Sequence, residues 1–201
     1  MQQVNKALIV GNGLSRKDID LREVARVNDN MTIFGCNAIY RDYAPKYEVP
    51  DYLVAIDDGI ITEIECSSFP ASRVLIPPQE ERWEPKGIWG EATAFSSTPR
   101  SNAGTNAIRE AIKLGFTDIR LVGFDSFVYS KDIAESNMYD GTDNYGPETR
   151  AKFEEGIGRV QYIAWVIREN SDVSFTFYLP ENVPYIQIDL PNVNFKTYAA
   201  L

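Results

Sequence analysis

Residues 8–15, Leu-Ile-Val-Gly-Asn-Gly-Leu-Ser, run a short apolar strand into an asparagine bracketed by two glycines and then a serine. Such a turn exposes backbone N–H groups and small polar side chains at a strand's carboxyl end. An α/β sheet places anionic or nucleotide ligands there. Downstream, apolar runs alternate with amphipathic stretches, the pattern of a mostly parallel sheet with helices on both faces. Strands are predicted at Lys6–Gly11, Thr32–Cys36, Tyr52–Asp57, Arg73–Ile76, Ile119–Gly123 and Ser174–Leu179, and the tail Tyr185–Leu201 can add an edge strand. Helices are predicted at Lys17–Arg26, at Thr105–Leu114 with Gly115 as its stop, and at Pro147–Glu169 with Pro147 near the first position. The expected fold is a three-layer Rossmann-like α/β sandwich of about six mostly parallel strands, in one domain spanning residues 1–201.

Two stretches fit no element. Pro77–Pro99 holds Trp83, Trp89 and several prolines. Residues 126–146, rich in Asp, Asn and Tyr, are long for a routine connection and read either as a lid carrying Tyr129, Tyr139 and Tyr145 or as a surface excursion.

Composition narrows the function classes. With 44% hydrophobic and 24% charged residues the chain reads as a soluble globule. Its net charge of −9 argues against non-specific nucleic-acid binding. No apolar run approaches a membrane span, and no signal-peptide pattern precedes the first strand. Cys36 and Cys66 lack metal-ligand spacing and read as reduced, buried thiols of a cytoplasmic protein. The chain has no histidine, so acid–base chemistry falls to Asp, Glu, Tyr, Lys or Cys.

Polar residues recur at the predicted strand ends: Asn12, Asn37, Asp57-Asp58 and Asp125, joined by Arg100-Ser101-Asn102-Ala103-Gly104-Thr105 ahead of the second helix. Asparagine offers the donor and acceptor that a ribose or base edge needs. Gly11, Gly13 and Gly104 permit close backbone approach, the second helix can face a phosphate, and Arg100 can pair with one. Asp57 and Asp125 are the candidate catalytic carboxylates, or ligands for Mg²⁺ beside that phosphate. A dehydrogenase is disfavoured, because Arg16 stands where Gly-x-Gly-x-x-Gly requires its third glycine and strand two ends in Asn37 rather than an acid. No P-loop motif is present.

Gly11-Asn12-Gly13-Leu14-Ser15 resembles the Gly-Asn-Gly-Pro-Ser opening of bacterial sialyltransferases of the Campylobacter type, shared by the related DUF115 proteins, which include an archaeal 6-hydroxymethylpterin pyrophosphokinase. Phe34-Gly35-Cys36-Asn37 resembles their second strand end, and Ala103–Phe116 followed by Ile119–Asp125 resembles their helix–strand block ending in Gly-x-Asp. The likeness covers residues 6–57 and 100–125. It implies that Asn12, Asn37 and Asp57 line a cytidine-nucleotide pocket, with Arg100 and the Asn102–Gly104 turn near the donor's sugar or phosphate, and it hints at a homo-oligomer; Gly13, Ser15, Ala103 and Thr105 complete the candidate nucleotide-binding set. The departures are specific. Where the sialyltransferases place a catalytic His, this chain has Asn144-Tyr145-Gly146-Pro147. Ala103 replaces their sugar-contacting Ser, Phe127 replaces one phosphate-contacting Tyr with Tyr129 close by, and Tyr139 matches the other. Asp57 follows the DUF115 pattern rather than the transferase Asn. Three functions remain open: a glycosyltransferase-like enzyme using a nucleotide-sugar, with Asp125, Asp140 or Asp143 as replacement base, a DUF115-type Mg²⁺-dependent diphosphate or nucleotidyl transferase, and a non-catalytic nucleotide binder.

Overall fold

The computed structural model describes residues 5–28, 31–43, 49–76, 93–94 and 102–201. Arg100, Trp83 and Trp89 lie outside the described residues. One sheet organises the molecule. Its strands are β1 (Lys6–Val10), β2 (Met31–Cys36), β3 (Tyr52–Val54), β4 (Val74–Ile76), β6 (Asp118–Val122), β7 (Ser174–Leu179) and β8 (Val193–Thr197), with a two-residue β5 (Thr93–Ala94) at one edge. Every neighbouring pair is parallel, in the order β5-β4-β3-β2-β1-β6-β7-β8. The α/β Rossmann-like expectation therefore holds, with seven strands of three residues or more where about six were expected. The seventh is β8, the edge strand contributed by the tail.

The helices are α1 (Leu21–Val27), α2 (Tyr40–Tyr43), α3 (Asp58–Glu65), α4 (Ala103–Lys113), α5 (Lys131–Ala134) and α6 (Phe153–Arg168). Strand order runs outward from β1 to β5 and then returns through α4 to β6 on the other side of β1. Right-handed crossovers put helices on opposite faces before and after such a reversal. The crevice between β1 and β6 is thus the topological switch point of the sheet. In β1, Ala7, Leu8, Ile9 and Val10 are all fully buried, as a central strand covered on both faces must be.

Several boundaries differ from the sequence reading. The segment Lys17–Arg26 is helical only from Leu21, because the Asp20 side chain accepts the Arg22 N–H and caps α1 there. The third helix begins at Phe153, since Pro147–Thr149 forms a separate 3₁₀ turn. Tyr52–Asp57 is a strand only to Val54, and the residues after Asp57 coil at once into α3. Cys36 is buried as expected, whereas Cys66 is exposed, having landed at the carboxyl end of α3; neither forms a disulfide. Among the described residues no helix is long and apolar enough to cross a membrane.

Candidate functional site

The chain makes its closest backbone approach at the switch point. Gly11 donates its N–H to Val122 O at 2.8 Å, and Gly13 donates to Gly123 O at 3.0 Å, so the ends of β1 and β6 are laced together beyond the sheet. A Cβ on Gly11 would fall 2.4 Å from Gly123 O. Gly123 itself has φ +70°, a left-handed conformation suited to glycine. This crossing opens a cleft of about 400 Å³ above the strand ends.

The cleft gathers most of the sequence-predicted residues. Asn12 and Gly13 line it from β1, Asn37 from β2, Asp57 from beyond β3, and Asp125 from beyond β6. Asn102, Ala103 and Gly104 line it from the start of α4. Three of the predicted residues act from behind the lining. Ser15 is bonded to the rear of Asp125. Thr105 is fully buried, and its N–H donates to Asn102 Oδ1 at 2.9 Å in the N-cap of α4. Tyr139 is buried beneath the cleft, where its hydroxyl donates to Asp42 Oδ2 at 2.9 Å and accepts from Arg16 Nη2 at 3.0 Å.

Of the three tyrosines assigned to a lid, Tyr145 alone reaches the cleft lining. Tyr129 is 59% exposed, and its N–H donates to Pro184 O, away from the cleft. The stretch 126–146 is a packed wall, pinned at several points. Met138 N donates to Asn12 O at 2.9 Å, Gly13 bridges Asn137, and Arg41 donates to Thr142 Oγ1 at 2.8 Å and to Asp143 O at 2.9 Å. Arg41 is itself fixed by Glu63, which also accepts from Tyr40 and Asn144.

The polar groups facing the cleft are unequal in what they have left to offer. Asn12 Nδ2 donates to Tyr145 OH at 3.1 Å, while Asn12 Oδ1 is buried with no protein partner. A shielded carbonyl oxygen of this kind is costly unless a ligand or water donates to it. Asn37, held at φ 50°, donates through Nδ2 to Asp57 Oδ2 at 2.7 Å and accepts from Ile56 N at 3.3 Å. That pairing orients Asp57. Surrounding protein pushes the Asp57 carboxyl above its ordinary value and the charge of Asp58 adds to the push, against the Asn37 hydrogen bond; the side chain keeps an exposed face, so solvent moderates the effect. Burial first, and then nearby Asp57, pushes the Tyr145 hydroxyl up to about 12, so it is a neutral donor.

Asp125 differs in kind. Its Oδ2 accepts the Ser15 N–H at 2.9 Å and its Oδ1 accepts the Ser15 hydroxyl in a short hydrogen bond. Burial raises its pKa, with the two Ser15 bonds and the Arg16 charge opposing. With one hydrogen bond from Ser15 on each oxygen, Asp125 braces the β1 turn. Among the described residues no group of three or more His, Cys, Asp or Glu side chains is placed to hold a metal.

Sequence reasoning named Asp140 as a candidate base but missed the rest of the far wall. Glu135, Ser136, Asn137 and Asp140 line it around α5, Arg150 lines it from the segment ahead of α6, and Arg159 lines it from α6. Arg150 pairs with Asp140 at 3.3 Å and Arg159 with Glu155 at 3.3 Å, and through those single contacts each guanidinium commits one nitrogen. The available signal was the place of Arg159 off the apolar stripe of α6, which by itself reads as a solvated face. Comparison of the chain with protein-family models, with curated proteins and with solved structures finds no match.

Proposed function

We propose that the chain is a glycosyltransferase-like enzyme that binds a nucleotide or nucleotide-sugar, cytidine type favoured, in the switch-point cleft and transfers the sugar to an acceptor hydroxyl. One observation carries the reading. Asn12 with its unpaired Oδ1, Asn37, Asp57, Tyr145 and the amino end of α4 converge on one cleft at the carboxyl edge of a parallel sheet. The asparagines and Tyr145 supply the neutral donors and acceptors that suit a ribose and a base edge. At the other end, the first N–H groups of the 11-residue α4 favour an anion. Arg150 and Arg159 on the opposite wall add positive charge for the same phosphate.

In the transfer step the acceptor oxygen attacks the anomeric carbon, the bond from that carbon to the phosphate oxygen breaks, and the nucleotide leaves with the electron pair. Asp57 takes the acceptor's proton. It is the cleft carboxylate with a raised pKa whose hydrogen bond comes from a neutral amide, and Asn37 holds it in place. A cytoplasmic location belongs to the same reading and agrees with two free cysteines, one with its thiol pushed by burial up to about 12.

The test is a thermal-shift screen of CMP, CDP, CTP, a CMP-sugar, UDP-sugars, ATP and GTP, each with and without Mg²⁺. A specific ligand at 100 times its Kd adds about 2.7 kcal/mol of stability. Selective stabilisation by a cytidine nucleotide or its sugar conjugate, independent of Mg²⁺, is expected. A strict Mg²⁺ requirement moves the reading to diphosphate transfer, and no shift with any nucleotide removes it.

A further inference from the structure

We infer that Tyr198, from the C-terminal segment, is a positioning residue of the cleft: it fixes the Asp125 carboxylate and the β1 turn through a hydrogen-bond relay whose direction is set by its two ends. Tyr198 opens the 3₁₀ turn Tyr198–Ala200 that follows β8, and it is 183 residues from the serine it touches. Nothing in its local sequence marks it.

The direction of the relay follows from donor counting. The Gly123 N–H can only donate, and it points at Tyr198 OH at 3.2 Å, so that oxygen accepts. At the far end an ionised carboxylate can only accept, so the single Ser15 hydroxyl proton goes to Asp125 Oδ1. The remaining contact, Ser15 Oγ to Tyr198 OH at 2.6 Å, then has one solution: the tyrosine donates and the serine accepts. The chain of donors runs from Gly123 N–H through Tyr198 and Ser15 to Asp125. Hydrogen bonds aligned in one direction polarise each other, so each link supports the carboxylate charge at the end.

The relay also has a geometric product. Asp125 lines the cleft, and a Cβ on Gly13 would meet its Cγ at 2.4 Å, so carboxylate and turn are packed without slack. A shift of Asp125 moves Gly13 and with it Asn12, whose unpaired Oδ1 faces the ligand in the proposed reading. Tyr198 thus sets the shape of a site whose β1 turn lies near the other end of the sequence.

The other charged groups around Asp125 are Arg16 behind the β1 turn, which draws its pKa down, and Asp57, Glu135, Asp140, Arg150 and Arg159 across the cleft. None of these groups is replaced in the variants below, so a change in Asp125 titration reports the relay. The experiment compares wild type with Tyr198→Phe, which removes one oxygen, and Ser15→Ala, which removes the next. The Asp125 carboxyl is titrated by ¹³C NMR on the ligand-free protein, and CMP affinity is measured alongside.

We expect the Asp125 midpoint to move up in Y198F and further in S15A, with S15T returning towards wild type. CMP affinity should fall roughly threefold to tenfold, the effect of one hydrogen bond. If Asp125 titrates identically in wild type and Y198F, the proposal is overturned, whatever S15A does and even where melting temperatures drop, because Tyr198 is then only packing. The titration arm stands apart from the nucleotide reading, on which the CMP arm rests. A shifted midpoint in a protein that binds no CMP keeps the relay and removes the ligand.

Discussion

Asp57 shows how a single side chain trades stability for chemistry. Its folded-state pKa is raised, so the folded protein holds that proton more tightly than the unfolded chain does. Stability from such a group is fully present below the unfolded carboxyl value of about 3.9 and is lost as the pH rises through the higher folded value. Asp57→Asn has no proton to lose and keeps an oxygen for the Asn37 amide. Its melting temperature should therefore gain on wild type between pH 4 and pH 7, modestly, given the exposed face of the side chain. Transfer activity should vanish in the same variant, and the wild-type rate should fall on the acid side at a pH above the ordinary carboxylate range. A gap in melting temperature that stays constant with pH would show that Asp57 titrates like a surface acid. The sequence marked Asp57 through its place at a strand end. It could not show that Asn37, 20 residues away, holds it, nor that each oxygen of Asp125 accepts a hydrogen bond from Ser15. Those pairings depend on parallel strand neighbours, which no local pattern encodes.

Among the elements, α4 carries the clearest local signals and has the most to do at the cleft. Its apolar stripe and the Gly115 stop were readable, and the helix begins two residues before the expected Thr105 because Asn102 caps it, accepting from Thr105 N at 2.9 Å and from the Thr105 hydroxyl at 3.2 Å. Asn102→Ala should cost about 1 kcal/mol, the usual value of a lost N-cap side chain. Asn102→Asp separates the cap from the ligand: it caps as well and complements the helix dipole, yet it sets a negative charge where a phosphate is proposed to lie. Urea unfolding should show N102D at least as stable as wild type, while nucleotide affinity falls; unchanged affinity would place the phosphate elsewhere. By contrast, α3 was not legible. Its run Gly59-Ile60-Ile61-Thr62-Glu63-Ile64 is rich in β-branched residues and only two turns long, so propensity favours a strand. Tertiary packing of Ile60, Ile61 and Ile64 on the core decides for helix. The six-residue error at the start of α6 has the reverse cause: Pro147 opens a turn that ends at Thr149, and Arg150–Lys152 are not helical.

At the scale of the molecule, Arg16 ties the pieces together, and it occupies the position where a dinucleotide-binding turn would have glycine. It is 1% exposed. Its Nε donates to Gly11 O at 2.7 Å, its Nη2 to Tyr139 OH at 3.0 Å, and the same nitrogen lies 3.4 Å from Asp42, which also accepts from Tyr139. One guanidinium thus joins the β1 turn, α2 and the wall at 126–146, groups 5, 26 and 123 residues distant in the chain. The sequence offered the arginine as a departure from a motif; its partners are too far apart for any pattern to reveal. Burying a charge is costly, and the cost is met here only because three acceptors converge on it. Arg16→Ala strands Gly11 O and the Tyr139–Asp42 pair and should destabilise the fold by about 3–5 kcal/mol, as loss of one partner in a buried ionic network does. Arg16→Lys keeps the charge but cannot fork to both sides, so it should fall between wild type and Ala. Equilibrium urea unfolding measures both. If R16A loses under about 1 kcal/mol, the network is peripheral and the wall at 126–146 is held by its other pins, Arg41 and the Met138–Asn12 bond among them. If the loss is large, the cleft and the core share one keystone, and substitutions that loosen the cleft from this side will lower stability and ligand affinity together.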